Sequence, residues 1–322
     1  MPRVSVVVPT YNRGELLRET LPTLLAQTEQ DLEIIIADSA STDGTVELVR
    51  QSRDTRLRLL SSESPMPHYA NWTRAIYAAT GEYVALYHDD DLYDPEIVAS
   101  SRRFLDAHPK VGMVHVGART FMTGEGDRGL TQAARHDFVR SGRAEALRWI
   151  VNCHDVVPSS TMVRRSVYES LDGFEPELTC TADWDFYVRV ALIADIGFVA
   201  GPLLHVRLHP RSVTNKVHPW RWVEETNLLL DRFKSNCASA DFEPPQGWPA
   251  AERQMRRSVA RRLWLAELSL IYRGEHALAS EMRRACLALD SGPLSLALGS
   301  ILSGCNGPTG RLLLKWVRSI WR

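Results

Sequence analysis

What this sequence lacks narrows it first. Its five cysteines, Cys153, Cys180, Cys237, Cys286 and Cys305, are far apart and form no Cys-x-x-Cys pair. That spacing fits neither a zinc site nor a small disulfide framework, and points to a reducing cytoplasm. No Gly-x-Gly-x-x-Gly follows the first strand-like run, which counts against a dinucleotide-dependent dehydrogenase. Positive charge is not in excess: 38 Lys and Arg stand against 39 Asp and Glu, a net charge of -1. A dedicated nucleic-acid binder would be clearly basic, so no nucleic-acid partner is expected. The longest clean apolar stretch, Leu294–Leu302, is about half of the ~20 residues that a membrane span needs. Internal repeats and low-complexity tracts are missing. The N-terminus shows no secretory signal pattern and enters a strand-like run within three residues. The expected location is cytoplasmic, with peripheral attachment to the inner face of the membrane as a variant.

What is present fits an ordinary globular protein. The 322 residues, 44% hydrophobic and 24% charged, suit one large domain or one domain plus a sizeable appendix. Charge is unevenly spread. From Ala250 to the end, twelve Lys and Arg face five Asp and Glu, so the tail is basic and suits an anionic membrane or partner surface.

The first 120 residues alternate short apolar runs with helical patterns. Val4–Val8 is continuous and apolar until Pro9-Thr10-Tyr11-Asn12 breaks it. Leu16, Leu17, Leu21, Leu24 and Leu25 follow at helical spacing, with Pro22 predicting a kink or a late start. Ile34–Ala37, Leu57–Leu60, Tyr83–Tyr87 and Val111–Val116 read as further strands. Helices are expected after Gly44, over Tyr69–Ala79 and from Pro95, where proline suits the first turn. Such alternation with fully apolar strands predicts an α/β fold with a mostly parallel, doubly covered sheet. From Gly117 to Asn215 the pattern is less regular: a mobile loop over Gly124–Gly129, a strand over Val156–Val163, a short helix over Ser166–Leu171 and an amphipathic helix over Asp183–Ala194. From Trp220 the chain reads as helical, broken by Asp241–Pro249 and Ser291–Pro293.

Ligands on parallel sheets bind beyond the carboxyl ends of the strands, and three polar clusters sit there: Thr10-Tyr11-Asn12, Asp38-Ser39 and His88–Asp91. Consecutive carboxylates at Asp89, Asp90 and Asp91 repel one another unless something cationic is present. A hard divalent ion held by one or two carboxylates and by phosphate oxygens is the usual arrangement for nucleotide substrates. The alternative is a solvated acidic turn; an EF-hand is a poor fit, because its glycine and spacing are missing. Asp38 ends a buried strand, where it can accept from a base or a ribose hydroxyl, whereas Ser41 and Asp43 read as helix caps and turn residues. Asp183 and Asp185 open a helix, either as favourable charges at its N-terminus or with a general base for an acceptor hydroxyl.

In this order, Val4-Ser5-Val6-Val7-Val8-Pro9-Thr10-Tyr11-Asn12-Arg13, Ser41-Thr42-Asp43-Gly44-Thr45, Gly81-Glu82-Tyr83 and the acidic cluster followed by Pro95 closely resemble the family 2 glycosyltransferases of the GT-A fold. The likeness continues through Arg164-Arg165-Ser166, Gly173-Phe174, Asp183-Trp184-Asp185 with Arg189, and Arg207 with His209, over about residues 3–215. It implies transfer of a sugar from a nucleoside-diphosphate donor to an acceptor hydroxyl with inversion, in polysaccharide or glycoconjugate assembly. It further implies nucleotide binding by Pro9, Thr10, Tyr11, Asp38, Ser39, Asn71 and Asp89, with Tyr11 packed on the base. Mn2+ or Mg2+ would be held by Asp90 with Asp91 and His209, and Asp183 would be the catalytic base. The implied partners are the sugar nucleotide and a glycan or lipid-linked acceptor. Three positions depart from the family pattern. Ser39 stands where many members have Asp or Asn, His88 where many have the first acidic residue of the D-x-D motif, and Pro67-His68-Tyr69 where a glycine-containing loop is usual. They leave the donor open.

The domains expected are 1–215, with a nucleotide-sugar half at 1–120 and an acceptor half at 121–215, and a helical region at 216–322. In the latter, Arg311, Lys315, Arg318 and Arg322 share one helical face opposite Leu312, Leu313, Trp316, Val317, Ile320 and Trp321. That pattern suits a membrane surface or a homodimer contact. Two other functions compete. A metal-dependent nucleotidyltransferase would open on a Gly/Arg/Lys-rich phosphate loop, which Val8–Gly14 lacks. A non-catalytic sugar-nucleotide or glycan-binding module would have no need of Asp90 and Asp183.

Overall fold

The computed structural model describes residues 1–123, 126–132, 134–209, 217–273, 275–292 and 295. The first apolar run becomes β1 (Val4–Thr10), followed by α1 (Gly14–Leu25), β2 (Leu32–Asp38), α2 (Thr45–Arg50), β3 (Leu57–Ser61), α3 (His68–Tyr77) and β4 (Tyr83–Leu86). β1 pairs in parallel with β2 and β4, and β2 in parallel with β3. Six of the seven β1 residues are buried, so both faces of this strand are covered. One face carries Val4, Val6 and Val8, which share a core with Leu17, Leu21 and Leu24 of α1 and with Ile34 and Ile36 of β2. Each such side chain contributes about 1.5–3 kcal/mol on burial, enough for α1 to continue through Pro22, which lies eight residues beyond the helix start.

A tight join holds the other end of these strands. Ser5 Oγ donates to Glu33 Oε1 at 2.6 Å and accepts from Gly81 N at 2.9 Å. A Cβ on Gly81 would lie 2.7 Å from the Ser5 nitrogen. Only glycine lets the turn before β4 approach β1 so closely, which explains the Gly81-Glu82-Tyr83 motif.

The sheet continues beyond β4 through β5 (Leu92–Tyr93), β6 (Val111–Met122), β7 (Gly126–Gln132), β8 (Phe138–Arg140), β9 (Thr161–Arg164) and β10 (Asp195–Arg207). Strand order is β3-β2-β1-β4-β9-β6-β10-β5, with β7 on β6 and β8 on β10. β9 runs antiparallel between β4 and β6, and β5, β7 and β8 are also antiparallel to their partners. The remaining six strands are parallel, as the alternation of elements requires. The other helices of this part are α4 (Ile97–Ala107), α5 (Gly142–Asn152), α6 (Arg165–Leu171) and α7 (Ala182–Ile193).

Three local expectations are corrected. The strand over Val156–Val163 is divided by a 3-10 turn at Pro158–Ser160, and only Thr161–Arg164 is strand; proline suits the first position of such a turn. Instead of a loop over 124–129, residues from Gly126 pair with β6, while 124 and 125 lie outside the described residues. α7 is not amphipathic: ten of its twelve residues are buried, its internal charges Asp185 and Arg189 being paired with each other. The thirteen-residue β10 is an addition to the expected strands; it takes up Gly201 at φ +105° within a register shift, and pairing with β6 resumes.

The chain divides into two compact units, Met1–Ala146 with Asp155–Ser212, and Leu147–His154 with Val213–Arg322. The second contains α8 (Pro219–Ser239), α9 (Trp248–Arg273) and α10 (His276–Leu289). Among the described residues, no helix is long and apolar enough to cross a membrane. The basic face at 311–322 and, apart from Ser295, the apolar run at 294–302 lie outside the described residues.

Candidate active site

The carboxyl ends of β1, β2 and β4 converge on the polar clusters. The loop after β1 is tied to the loop after β2. Asn12, at φ +51°, accepts from Thr42 N through its side chain at 2.8 Å, and its own N–H donates to Ser41 Oγ at 2.8 Å. Asp43 serves two helix starts, accepting from Gly14 N of α1 at 3.0 Å and from Thr45 N of α2 at 3.1 Å. Tyr11, between these anchored residues, is 48% exposed, so its ring is free to meet a ligand. Pro9 and Thr10 are the last two residues of β1, paired with Ala37 and Asp38.

Most side chains around Asp38 build the site rather than face outward. The Asp38 carboxylate accepts from Ser41 N at 3.1 Å. Ser39 Oγ accepts from Met66 N at 2.9 Å and holds the loop before α3. Asn71 is buried; its Nδ2 donates to Ala37 O at 2.7 Å and its Oδ1 accepts from Arg74 Nη2 at 2.8 Å.

The backbone of the acidic turn is clamped at every carbonyl from His88 to Asp91. Tyr93 Oη donates to His88 O at 3.0 Å, and Arg207 Nε donates to Asp90 O at 2.9 Å. The Thr20 hydroxyl reaches Asp89 O at 3.1 Å and Asp91 O at 2.8 Å. Side chains from α1, β5 and β10 thus fix one four-residue segment, the kind of preorganisation a charged site needs.

The three carboxylates are not equivalent. Asp91 is buried, accepting from Ser159 Oγ at 2.5 Å and from the Arg207 backbone N–H at 2.9 Å. Burial, and then the charge of Asp90, push the pKa of Asp91 up to about 7; the same two causes push Asp89 up to about 7. Burial also works against Asp90, but a hydrogen bond with His209 and the charges of His88, Arg13 and His209 outweigh it and hold Asp90 below the ordinary carboxylate range. One carboxylate held toward its ionised form between two neighbours pushed toward neutrality relieves the repulsion that the triplet would otherwise carry. Asp90 Oδ2 meets His209 Nε2 at 2.9 Å and Arg13 Nη1 at 3.2 Å. Ligand atoms of His88, Asp90 and Asp91 all lie within 4.8 Å of one another, and two carboxylates with an imidazole are a donor set that fits a divalent ion.

An aromatic wall adjoins this turn. The Trp72 ring lies 5.5 Å from those of His88 and His68, and 5.4 Å from Phe174. At the start of α7 the acidic pair is split. Asp185 is fully buried and bonded to Arg189 Nε at 2.7 Å, while Asp183 is half-buried and accepts the Trp184 N–H at 2.8 Å.

Several of these parts were not singled out in the sequence. Thr20 carried a signal, being a polar residue on the apolar stripe of α1 between Leu17, Leu21 and Leu24. Arg13 ends the first polar motif of the sequence. Tyr93, Ser159 and Trp72 carry no local signal, because their partners come from elsewhere in the chain.

Residues 5–172 match the model of glycosyl transferase family 2. The chain belongs to this family. A putative glycosyltransferase of Bacillus subtilis, EpsE, is 28% identical over 178 residues, covering 54% of this chain and 60% of that protein. The chain spans about three fifths of the length of EpsE and of a Mycobacterium bovis relative, and less of several others. Among solved structures, Staphylococcus aureus TarS 1-349 in complex with UDP-GlcNAc aligns with a TM-score of 0.66 at 20% identity, over 99% of this chain and 88% of that one. The mannosyltransferase PcManGT from Pyrobaculum calidifontis, in complex with GDP-Man and Mn2+, aligns at 0.57 with 21% identity, over 98% of this chain and 83% of that one. Both are likenesses of fold.

Proposed function

We propose that this chain is a metal-dependent, inverting glycosyltransferase that moves a sugar from a nucleoside-diphosphate donor to an acceptor hydroxyl in polysaccharide or glycoconjugate assembly. The observation that carries this reading is the rigid acidic turn with one ionised carboxylate, Asp90, placed at the carboxyl edge of a parallel sheet. The complexes of TarS with UDP-GlcNAc and of PcManGT with GDP-Man and Mn2+ support a sugar-nucleotide partner and a divalent ion.

Tyr11 packs on the base, beside Pro9, Thr10 and Asp38, while Ser39 and Asn71 hold the loop and helix that frame the nucleotide. Asp89 completes the nucleotide side. Asp90, with Asp91 and His209, would hold Mn2+ or Mg2+, which when bound supplies Lewis-acid neutralisation of the departing diphosphate. His88 contributes a third ligand atom near Asp90 and Asp91. Asp183 takes the proton of the acceptor hydroxyl. The freed oxygen attacks the anomeric carbon from the face opposite the leaving group, its bond to the diphosphate oxygen breaks, and the nucleoside diphosphate departs. Inversion needs one base and no covalent enzyme intermediate.

Residues 1–215 are assigned to this chemistry, 1–120 on the donor side and 121–215 on the acceptor side. The region 216–322 is assigned to contact with a membrane surface or a second copy through its basic terminal segment, with a glycan or lipid-linked acceptor and a cytoplasmic location at the inner face of the membrane. The test is a panel of UDP-, GDP- and dTDP-sugars assayed for Mn2+-dependent binding and hydrolysis. Binding of one donor that Asp90→Ala abolishes supports the reading. No binding of any donor, or binding indifferent to Asp90→Ala, overturns it.

A further inference from the structure

Asp90 already meets a cation within the chain. Arg13 Nη1 lies 3.2 Å from Asp90 Oδ2 and 3.3 Å from His209 Nε2, and that histidine nitrogen is itself 2.9 Å from the same oxygen. All three side chains are largely enclosed, at 14%, 18% and 13% exposure for Arg13, Asp90 and His209. A guanidinium does not lose its proton in a protein, so this positive charge is permanent. It sits where a divalent ion bound by Asp90 would have to compete for the same oxygen.

Arg13 differs in this from the other arginine of the turn. Arg207 is fixed at four points, through Asp90 O, Asp91 Oδ1, Thr123 Oγ1 and Glu19 Oε2. Its role is to hold the backbone. Arg13 instead contacts the carboxylate itself, from the same loop as Tyr11, which the proposed function gives to the nucleotide. A planar guanidinium with several donors suits a diphosphate at least as well as one carboxylate oxygen.

We propose that Arg13 is a tethered counter-ion that neutralises Asp90 in the free protein and turns onto the diphosphate when the donor arrives, so that divalent metal and nucleoside diphosphate bind synergistically. This rests on the proposed role of Asp90 as metal ligand. Metal alone has to displace Arg13 from the Asp90 oxygen and forfeits that partly enclosed ion pair. Metal with a nucleoside diphosphate leaves both charges satisfied. The device keeps the metal from occupying the site without a donor.

The test titrates Mn2+ into the full chain, following the signal of free Mn2+ by electron paramagnetic resonance, with and without UDP or GDP. Compared are wild type, Arg13→Gln, Asp90→Asn and the double variant. Arg13→Gln is expected to bind Mn2+ alone about tenfold tighter, the worth of one partly enclosed ion pair, and to lose most of the nucleotide-induced gain in Mn2+ affinity. In the double variant the tighter binding should vanish. If Arg13→Gln binds Mn2+ alone no more tightly than wild type, while Asp90→Asn removes the binding seen with nucleotide, the counter-ion role fails and the metal site stands. If Asp90→Asn leaves Mn2+ binding with nucleotide unchanged, the metal reading fails and takes this inference with it. Should Arg13→Gln not fold, Arg13→Lys carries the test. With fewer donors to hold Asp90, it should bind Mn2+ alone more tightly than wild type by a smaller factor, and no gain overturns the proposal.

Discussion

Tyr93 brackets His88 with a single hydroxyl: Oη accepts the His88 N–H at 2.7 Å and donates to the His88 carbonyl at 3.0 Å. The Tyr93 ring is buried, stacked on Tyr87 with centroids 4.3 Å apart. Tyr93→Phe keeps that packing and strips both backbone groups of their partner. Leaving buried polar groups unpaired costs about 1–3 kcal/mol each, so the variant should unfold at clearly lower urea concentration than wild type. The acidic turn should also loosen, lowering Mn2+ affinity in the presence of nucleotide. A variant as stable as wild type would mean that the bracket contributes nothing.

Asp183 and Asp185 lie two residues apart and should behave oppositely. Asp185 is fully buried against Arg189, whose other nitrogens donate to Leu171 O at 2.6 Å and Gly173 O at 2.7 Å. Asp185→Asn leaves the guanidinium without its counter-charge, and losing one partner of a buried pair costs about 3–5 kcal/mol. Calorimetry should show a strongly lowered Tm. Asp183→Asn should melt close to wild type and bind donor normally, yet fail to transfer sugar. Loss of folding in Asp183→Asn would recast that residue as a helix cap.

Gly81→Ala tests the join beneath the sheet. The added Cβ would meet the Ser5 nitrogen at 2.7 Å and Ser5 Oγ at 2.9 Å. Both belong to the central strand and cannot give way cheaply. Overpacking of this kind costs about 1–3 kcal/mol, and chemical denaturation should show a shift at least that large. An unchanged midpoint would show that the turn can move away from β1.

These sites show where the sequence was legible. The frame was readable because Val4–Val8, Ile34–Ala37 and Tyr83–Tyr87 are buried on both faces, which leaves a continuous apolar signature. Polar clusters after those strands could be placed on one sheet edge by the same rule. The second half was less legible, since β10 crosses Gly201-Pro202 by a register shift and α7 hides its charges in an internal pair. Within the site, the sequence pointed to the carboxylates but not to what holds them. Tyr93, Ser159 and Arg207 act on the turn across as many as 117 residues of separation, and no local pattern encodes such a partnership. Asp183 and Asp185 looked alike as letters; only burial separates them.

Glu267 of α9 is fully buried, its Oε1 accepting from Arg283 of α10 at 2.6 Å, while its Oε2 is buried without a hydrogen-bond partner. Burial pushes its pKa from 4.5 up to about 7, against the hydrogen bond and charge of Arg283. Below about pH 4.5 the group is protonated in both folded and unfolded chains. Between pH 4.5 and 7 the unfolded chain gives up this proton first, so the folded state loses stability relative to it. The favourable contribution is therefore complete below pH 4.5 and lost as the pH rises through 7. The full change is on the order of 3 kcal/mol. Glu267→Gln cannot ionise and should lose this slope. Measured as variant minus wild type, which cancels the other titrating groups, its stability should rise from pH 5 to pH 8 in urea titrations. A difference that stays constant, or falls, over that range would show that Arg283 keeps Glu267 ionised throughout.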